Sequence, residues 1–338
     1  MPLLTGGQAL VQQLKKEGVE VIFALPGVQL DWMFDALYDE QDSIRVVHAR
    51  NEQAVSYMAD GYARATGKVG VCAVVPGPGL LNATAGLSTA YACSSPVLCI
   101  AGQIDSGMIG KGKGMLHEIP HQLEAMASVT KWAGRAVKPG EVPALVREAF
   151  RQLATGRPRP VEIEIPPDTL RDQADIDDEE IGRNHPTDIR IVGDSRAALP
   201  ALVDEVGRFN HVRPSRQEEL RTLQEATHAE LLADENRAPL AMAVRAALPE
   251  EGVVVADMTQ VGYWSRAAFP VYEPRTLIGP GYQGTLGFGY CTALGAKVGQ
   301  PDRPVVCLAG DGGFMYTIGE LSTAVRHGIN VVAVVFND

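Results

Sequence analysis

Short β-branched apolar runs alternate with helix-spaced segments along most of this chain, and that alternation constrains its fold more than any other feature. Val19 to Leu25, Val69 to Val75, Pro96 to Gly102 and Val161 to Pro166 read as strands, the last with period two. Glu52 to Ala65, Leu80 to Ala92 and Val142 to Thr155 carry helical spacing. The pattern resumes at Pro239, with a helix to Leu248 and a strand from Val253 to Ala256. A helix through Gly289 to Val298, a strand from Val305 to Ala309, a helix from Ile318 to Arg326 and a strand from Val331 to Phe336 follow. Strands separated by helices imply parallel sheets covered on both faces. The expected fold class is α/β, with two doubly wound parallel-sheet domains. At ~100–200 residues per domain, a chain of 338 residues accommodates two.

The stretch between the two regions differs in composition. Asp172 to Glu180 is mostly acidic, and Gly182, Pro186 and Gly193 follow. Helical patterns cover Ala197 to Val206 and Ser215 to Asp234. We read 171–236 as a connector between 1–170 and 237–338.

Charge and cysteine content narrow the function classes. Acidic residues number 41 against 30 basic ones, and no Lys/Arg stripe offers a footprint for phosphate backbones or anionic membranes. The five cysteines form no C-x-x-C pair, so neither a disulfide framework nor a zinc knuckle is indicated. The N-terminus lacks the basic and apolar regions of a signal peptide. Val69 to Ile104 is uncharged but is broken by Pro76-Gly77-Pro78-Gly79 and by Ser94-Ser95-Pro96, which suits buried strands and helices better than a membrane span. A soluble cytoplasmic protein is expected.

Several motifs invite chemistry. His117-Glu118-Ile119-Pro120-His121 matches H-E-x-x-H, but Pro120 breaks the helix that would present both imidazoles to zinc. Lys111-Gly112-Lys113-Gly114 fails the spacing of a phosphate loop and reads as a surface turn. Gly310-Asp311-Gly312-Gly313 carries more weight, because it follows a strand at the end where open α/β sheets place ligands. Glycine N–H groups there can approach a phosphate unobstructed, and Asp311 can offer a hard oxygen to Mg²⁺. Asn337-Asp338 closes the next strand, so adjacent strands would set both ends around one ion. Glu52 has two readings, a helix-dipole cap or a buried carboxylate that handles a proton. An NAD dehydrogenase is disfavoured, since no G-x-G-x-x-G follows the first strand.

Taken together, these segments resemble the thiamine-diphosphate enzymes of the acetolactate synthase group. Arg50-Asn51-Glu52-Gln53 with Ala59-Asp60-Gly61-Tyr62-Ala63-Arg64 is similar to the family's catalytic-glutamate helix. Gly77-Pro78-Gly79 with Asn82, Pro96-Val97-Leu98 and Gly102-Gln103 is similar to its next stretch, and Gly310-Asp311-Gly312 through Asn337-Asp338 to its diphosphate and Mg²⁺ signature. The resemblance implies a pyrimidine-binding domain over 1–170 and a diphosphate-binding domain over 237–338. It implies that Glu52 bonds the aminopyrimidine and promotes the tautomer that deprotonates the thiazolium carbon, which then serves as electron sink for decarboxylation of a 2-oxo acid. Leu286 would bend the cofactor, the Gly284 carbonyl would accept from it, and Gly27, Gln260, Gly310, Asp311, Gly312, Gly313 and Asp338 would complete its site, with Asp311 and Asp338 on Mg²⁺. Val28, His117, Glu118 and Gln122 would line the substrate pocket.

The implied reaction joins two pyruvates to 2-acetolactate and CO₂, a step of branched-chain amino acid biosynthesis. Alternatives are a non-ligating 2-oxo-acid decarboxylase and a catalytically inactive fragment. The family shares its active sites between subunits, so a homodimer or homotetramer is expected. Asn51 stands where the family has His, Gly27-Val28 where it has Gly-Gly, and Asp338 where it has Asn. The middle domain, which holds FAD in the synthases, is largely absent apart from Ile176-Asp177 through Gly182-Arg183-Asn184 and Ile191 to Asp194, so no FAD is expected. The C-terminal part of the diphosphate domain reads as truncated.

Overall fold

A computed structural model of the protein describes residues 3–176, 195–209 and 214–337. Twelve strands are described: β1 (Leu3–Thr5), β2 (Val21–Ala24), β3 (Arg45–His48), β4 (Gly70–Val74), β5 (Val97–Gly102), β6 (Trp132–Arg135), β7 (Val161–Ile165), β8 (Gln173–Asp175), β9 (Val253–Ala256), β10 (Leu277–Ile278), β11 (Val305–Gly310) and β12 (Val332–Phe336). Six form a parallel sheet in the order β3-β2-β4-β5-β7-β6, and four form a second parallel sheet in the order β10-β9-β11-β12. The short β1 and β8 pair antiparallel, which ties residues 173–175 of the connector back to the start of the chain. The remnant segments from Asp177 to Asp194 lie outside the described residues. No helix among those described is long and apolar enough to cross a membrane.

Local chemistry explains the elements that position the site. Asn51 caps the helix Glu52–Thr66, its side chain accepting from the Gln53 N–H at 2.8 Å. Gly67 ends that helix in the left-handed conformation. Pro78 opens the helix Pro78–Cys93, where a missing N–H costs nothing. Helices described as Ser195–Phe209 and Gln217–Leu232 lie within the connector, and Ala238–Ala247, Phe288–Gly299 and Leu321–His327 flank the second sheet.

The period-two reading of Val161 to Pro166 needs correction. Every residue of β7 is buried, including Glu162 and Glu164. A central parallel strand is covered on both faces, so its alternation does not mark a wet side. Glu164 is paired with Arg135 and accepts from Gln122 Nε2 at 2.6 Å and Gln103 Nε2 at 3.2 Å. Neither oxygen of Glu162 has a partner. Burial, with Glu164 beside it, pushes its carboxyl well above the usual range.

The two sheets are joined by helices packed backbone to backbone. A Cβ on Gly61 would lie 2.1 Å from the Thr292 carbonyl oxygen, and one on Gly295 would lie 2.0 Å from that of Met58. Glycine at both places lets Glu52–Thr66 and Phe288–Gly299 touch along their length. One apolar cluster runs through this contact, from Phe23, Cys72 and Leu87 on one side to Val255, Phe288 and Cys307 on the other.

Candidate active site

Glu52 is the first residue of its helix, yet it does not do the capping. Asn51 does, which leaves the Glu52 carboxylate directed elsewhere: Asn82 Nδ2 donates to its Oε2 at 3.1 Å. A Cβ on Gly79 would come within 3.4 Å of the other oxygen, Oε1, so glycine keeps room in front of it. Gly27 is packed under Val75, where a Cβ would stand 2.4 Å from Cγ1, and Val75 also lies under Gly79. The Gly27-Val28 turn and Gly79 are thus held around one valine, and the Val28 side chain is exposed.

The turn at Gly77 gathers further residues of the expected pocket. Its φ of +56° and a carbonyl contact 2.2 Å from a would-be Cβ pair it with His117. Its N–H donates to Gln122 Oε1 at 3.0 Å, and Gln122 Nε2 reaches the Gly102 carbonyl at 3.1 Å. Glu118 accepts from the Met115 N–H at 2.8 Å, and it lines a cavity of about 260 Å³ with Gln122, Gln103 and Arg135. The 117–121 segment is not helical, and both its histidines have positive φ, so the H-E-x-x-H match does not set two imidazoles one helical turn apart. Gly110, Gly112 and Gly114 all have positive φ in an exposed turn, as expected for the Lys111–Gly114 segment.

Across from Glu52 stands the loop Gly284 to Gly287. Gln53 Nε2 donates to the Leu286 carbonyl at 3.3 Å, and the Tyr57 hydroxyl bonds that of Thr285, which is 3.3 Å from Thr89 Oγ1. The Leu286 side chain is 49% exposed, a large apolar group left outside the core beside the glutamate helix. Gly284 takes a φ of +57° against Met258. Asp257, at the end of β9, accepts from the Met258 N–H at 2.8 Å and from the Gly289 N–H at 3.1 Å, and burial raises its carboxyl.

The glycine signature lies at the carboxyl edge of the second sheet. β11 ends at Gly310, and Asp311 opens the short helix Asp311–Tyr316 with its side chain exposed. Nothing comes within 4 Å of a Cβ on Gly312, whereas Gly313 is buried near Asp257. Gly310 pairs in register with Phe336, so Asp311 and Asn337 leave neighbouring strands at the same edge. Gln260 and Asn337 line a cleft of about 660 Å³ with Thr259, Asp234 and Arg237. Asp338 lies outside the described residues. Among those described, no group of three or more His, Cys, Asp or Glu could hold a metal ion by itself.

Two contributions escape the motif reading. Glu320, buried, accepts from the Arg50 N–H at 2.9 Å and from the Thr323 hydroxyl, and so pins the backbone just ahead of Glu52. Burial raises its carboxyl, offset in part by those bonds. His48 and His327 meet with Nδ1 and Nε2 3.3 Å apart, and the His48 N–H donates to His327 Nε2 at 3.2 Å. Burial lowers both imidazoles, helped by Arg326 and by Arg50 at His48 or Arg45 at His327. A single acid in the otherwise neutral stretch Gly312 to Val325 was the available signal for Glu320, whereas the histidines, close to Arg45, Arg50 and Arg326, carried none.

These features suit a diphosphate-bearing, aromatic cofactor. The Glu52 carboxylate faces Gly79, a half-exposed leucine stands beside the glutamate helix, and glycine backbone ends at open space at the edge of the second sheet. Comparison with known proteins agrees. Residues 4–125 match the family model described as "Thiamine pyrophosphate enzyme, N-terminal TPP binding domain", and residues 257–338 match "Thiamine pyrophosphate enzyme, C-terminal TPP binding domain". A probable 2-ketoarginine decarboxylase from Pseudomonas aeruginosa is 29% identical over 95% of this chain and 79% of its own length. A probable acetolactate synthase large subunit from Methanococcus aeolicus is 25% identical over 99% of this chain and 80% of its own. Another, from Methanocaldococcus jannaschii, is 40% identical over 52% of this chain and 29% of its own. The Pseudomonas alignment runs over 448 positions against a chain of 338 residues, so at least 110 positions of that relative have no residue opposite them.

Proposed function

This chain belongs to the thiamine pyrophosphate enzyme family, and from that premise we propose that it catalyses thiamine-diphosphate- and Mg²⁺-dependent carboligation of 2-oxo acids, joining two pyruvates into 2-acetolactate with loss of CO₂. The observation that carries the reading is the Glu52 carboxylate, released from capping by Asn51, held by Asn82 and set opposite the Leu286 loop. When bound, the cofactor supplies an electron sink for loss of the substrate carboxylate.

The chain's own residues do the rest. Glu52 exchanges a proton with the pyrimidine ring through a carboxylate oxygen. Leu286 would support the bound cofactor from below, and the Gly284 carbonyl would accept from its amino group. Gln260, Gly310, Gly312 and Gly313 would hold the diphosphate with backbone and amide donors, while Asp311 and Asp338 would offer oxygens to Mg²⁺. One or two protein carboxylates would be sufficient for such an ion, because Mg²⁺ would keep waters and share the diphosphate's oxygens. Gly27, Val28, His117, Glu118 and Gln122 shape the substrate side. We read 1–170 as the pyrimidine-binding domain, 237–338 as the diphosphate-binding domain, and 171–236 as a connector retaining the tail of a middle domain, with no FAD bound.

Thermal-shift titration tests the premise: thiamine diphosphate with Mg²⁺ raises Tm saturably, and omission of Mg²⁺ removes most of the rise. Glu52→Gln lowers turnover by about 10²–10⁴-fold, the usual worth of a positioned acid or base. Full turnover by that variant refutes the assignment. The decarboxylase-like relative favours a second reading, in which the carbon left after CO₂ loss takes a proton instead of a second 2-oxo acid. Product analysis with pyruvate and with 2-ketoarginine separates them, since an aldehyde without acetolactate supports the second reading.

A further inference from the structure

The polar side chains under the Gly77 turn form a continuous row that reaches Glu52 from the far edge of the six-stranded sheet. We infer that Glu164, held by Arg135, is a positioning residue for Glu52. It fixes the Gln122 amide, the amide fixes the Gly77 turn, and the turn fixes the helix end that surrounds the Glu52 carboxylate. The part Glu52 plays in a reaction rests on the functional reading above; the row of contacts does not.

Gln122 has no freedom of its own. Its side chain is buried, and its Oε1 faces a donor, the Gly77 N–H at 3.0 Å. Its Nε2 faces two acceptors, the Gly102 carbonyl at 3.1 Å and Glu164 Oε2 at 2.6 Å. An amide turned end for end would oppose all three partners at once, so the network fixes which end is oxygen. The shortest of the three bonds goes to a carboxylate, and bonds of that kind are roughly twice as strong as neutral ones. Glu164 is therefore the firmest of the three anchors.

Glu164 is itself held on two sides. Its Oε1 accepts from Gln103 Nε2 at 3.2 Å and from Arg135 Nε. Arg135 is its register partner on the edge strand β6 and supplies the opposite charge without which a buried carboxylate is costly. At the other end of the row, Gly77 is the N-cap residue of the helix Pro78–Cys93. The first turns of that helix carry Gly79, which leaves room beside Glu52 Oε1, and Asn82, which donates to Oε2 at 3.1 Å. If the Gly77 N–H loses its acceptor, the helix end can shift and Asn82 shifts with it.

Two measurements test this. The first needs no cofactor. In a chain carrying nitrogen-labelled glycine, the Gly77 amide exchanges with deuterium at a rate set by local opening. Arg135→Met, at a partly exposed site, should speed that exchange ~10-fold, whereas Arg135→Lys, which keeps a positive charge beside Glu164, should stay within ~3-fold of the unaltered chain. Glu164→Gln must turn an N–H toward one of its own donors and should speed exchange at least as much as Arg135→Met. Unchanged exchange in both Arg135→Met and Glu164→Gln overturns the inference.

The second measurement is kinetic and is made well below each variant's Tm. In Arg135→Met, kcat on a 2-oxo acid should fall ~10-fold with KM within ~2-fold, the pattern of a lost transition-state interaction. Adding Asn82→Ala should cost much less than its effect alone, since residues acting through one network are not additive. Full kcat, or full additivity, alongside fast Gly77 exchange overturns the positioning role and leaves Glu164 structural. An unaltered chain that turns over no 2-oxo acid, with its Gly77 amide responding as stated, overturns the functional reading alone and leaves the row of contacts in place.

Discussion

The two halves of the site work with different materials. The six-stranded half supplies side chains: Glu52 held by Asn82, Gln122 tied to Gly77, and a buried polar set around Glu164. The four-stranded half supplies mostly backbone: the Leu286 carbonyl, the Gly284 turn, and Gly310 to Gly313 at the end of β11. Side chains can set a proton affinity, whereas exposed glycine N–H groups can follow the outline of a charged ligand. Under the proposed function, that division assigns the tuning of chemistry to one half and the grip on the ligand to the other. It also sets where each half is fragile.

The largest break comes where the halves meet. Gly295→Val places a side chain against the Met58 carbonyl, 2.0 Å from where its Cβ would stand, and neither helix can yield without opening the core. We expect a loss of about 3 kcal/mol or more, beyond the usual cost of overpacking because the obstacle is backbone, seen as a Tm drop in calorimetry.

A change inside the six-stranded half should run the other way. Glu162 is buried with no partner and holds its proton well above the usual carboxylate range. In the unfolded chain it ionises near its ordinary value, so folding at neutral pH must reprotonate a carboxylate, and the penalty shrinks as pH falls toward that value. Glu162→Leu should therefore stabilise by about 1–3 kcal/mol at pH 8 and by less at pH 5, measured by denaturant melts. Equal gains at both pH values would remove the electrostatic account.

Glu320→Gln sharpens the link between the halves. It replaces the charged acceptor that holds the Arg50 N–H ahead of Glu52, so thiamine diphosphate affinity should fall ~5-fold with stability down about 1 kcal/mol. A stability loss with affinity unchanged would make Glu320 structural only.

The histidine pair gives the smallest effect and the opposite pH slope to Glu162. Both imidazoles are lowered, chiefly by burial, so their contribution is complete above the ordinary histidine value near ~6.5 and is lost as pH falls through the lowered ones. Replacing both with glutamine should flatten the decline of Tm between pH 7 and 5 by an amount worth under ~1 kcal/mol.

The central strands were legible because they are apolar throughout: β4, β5 and β9 fall within the runs read from sequence, and β11 runs one residue past its own. The strands β3 and β6 were not. They form the two edges of the six-stranded sheet, are only partly buried, and carry Arg45, His48 and Arg135 in place of a continuous apolar signature. In the site, the glutamate and glycine motifs were visible by spacing. The surroundings of Glu52 were not, because they come from Asn82, 30 positions on, and from the Leu286 loop that its neighbour Gln53 bonds. Glu320 stayed hidden for the same reason: its role is a hydrogen bond to a backbone 270 positions away.

The described four-stranded sheet ends in β12, whose Val332 and Val335 are exposed along a strand with one neighbour. A bare β-branched edge is a template for another strand. Handled as these 338 residues alone, at high concentration and high salt, where like charges cease to repel, the chain is expected to self-associate through β12 into sheet-rich aggregates. A lysine at Val332 would act as a gatekeeper against them.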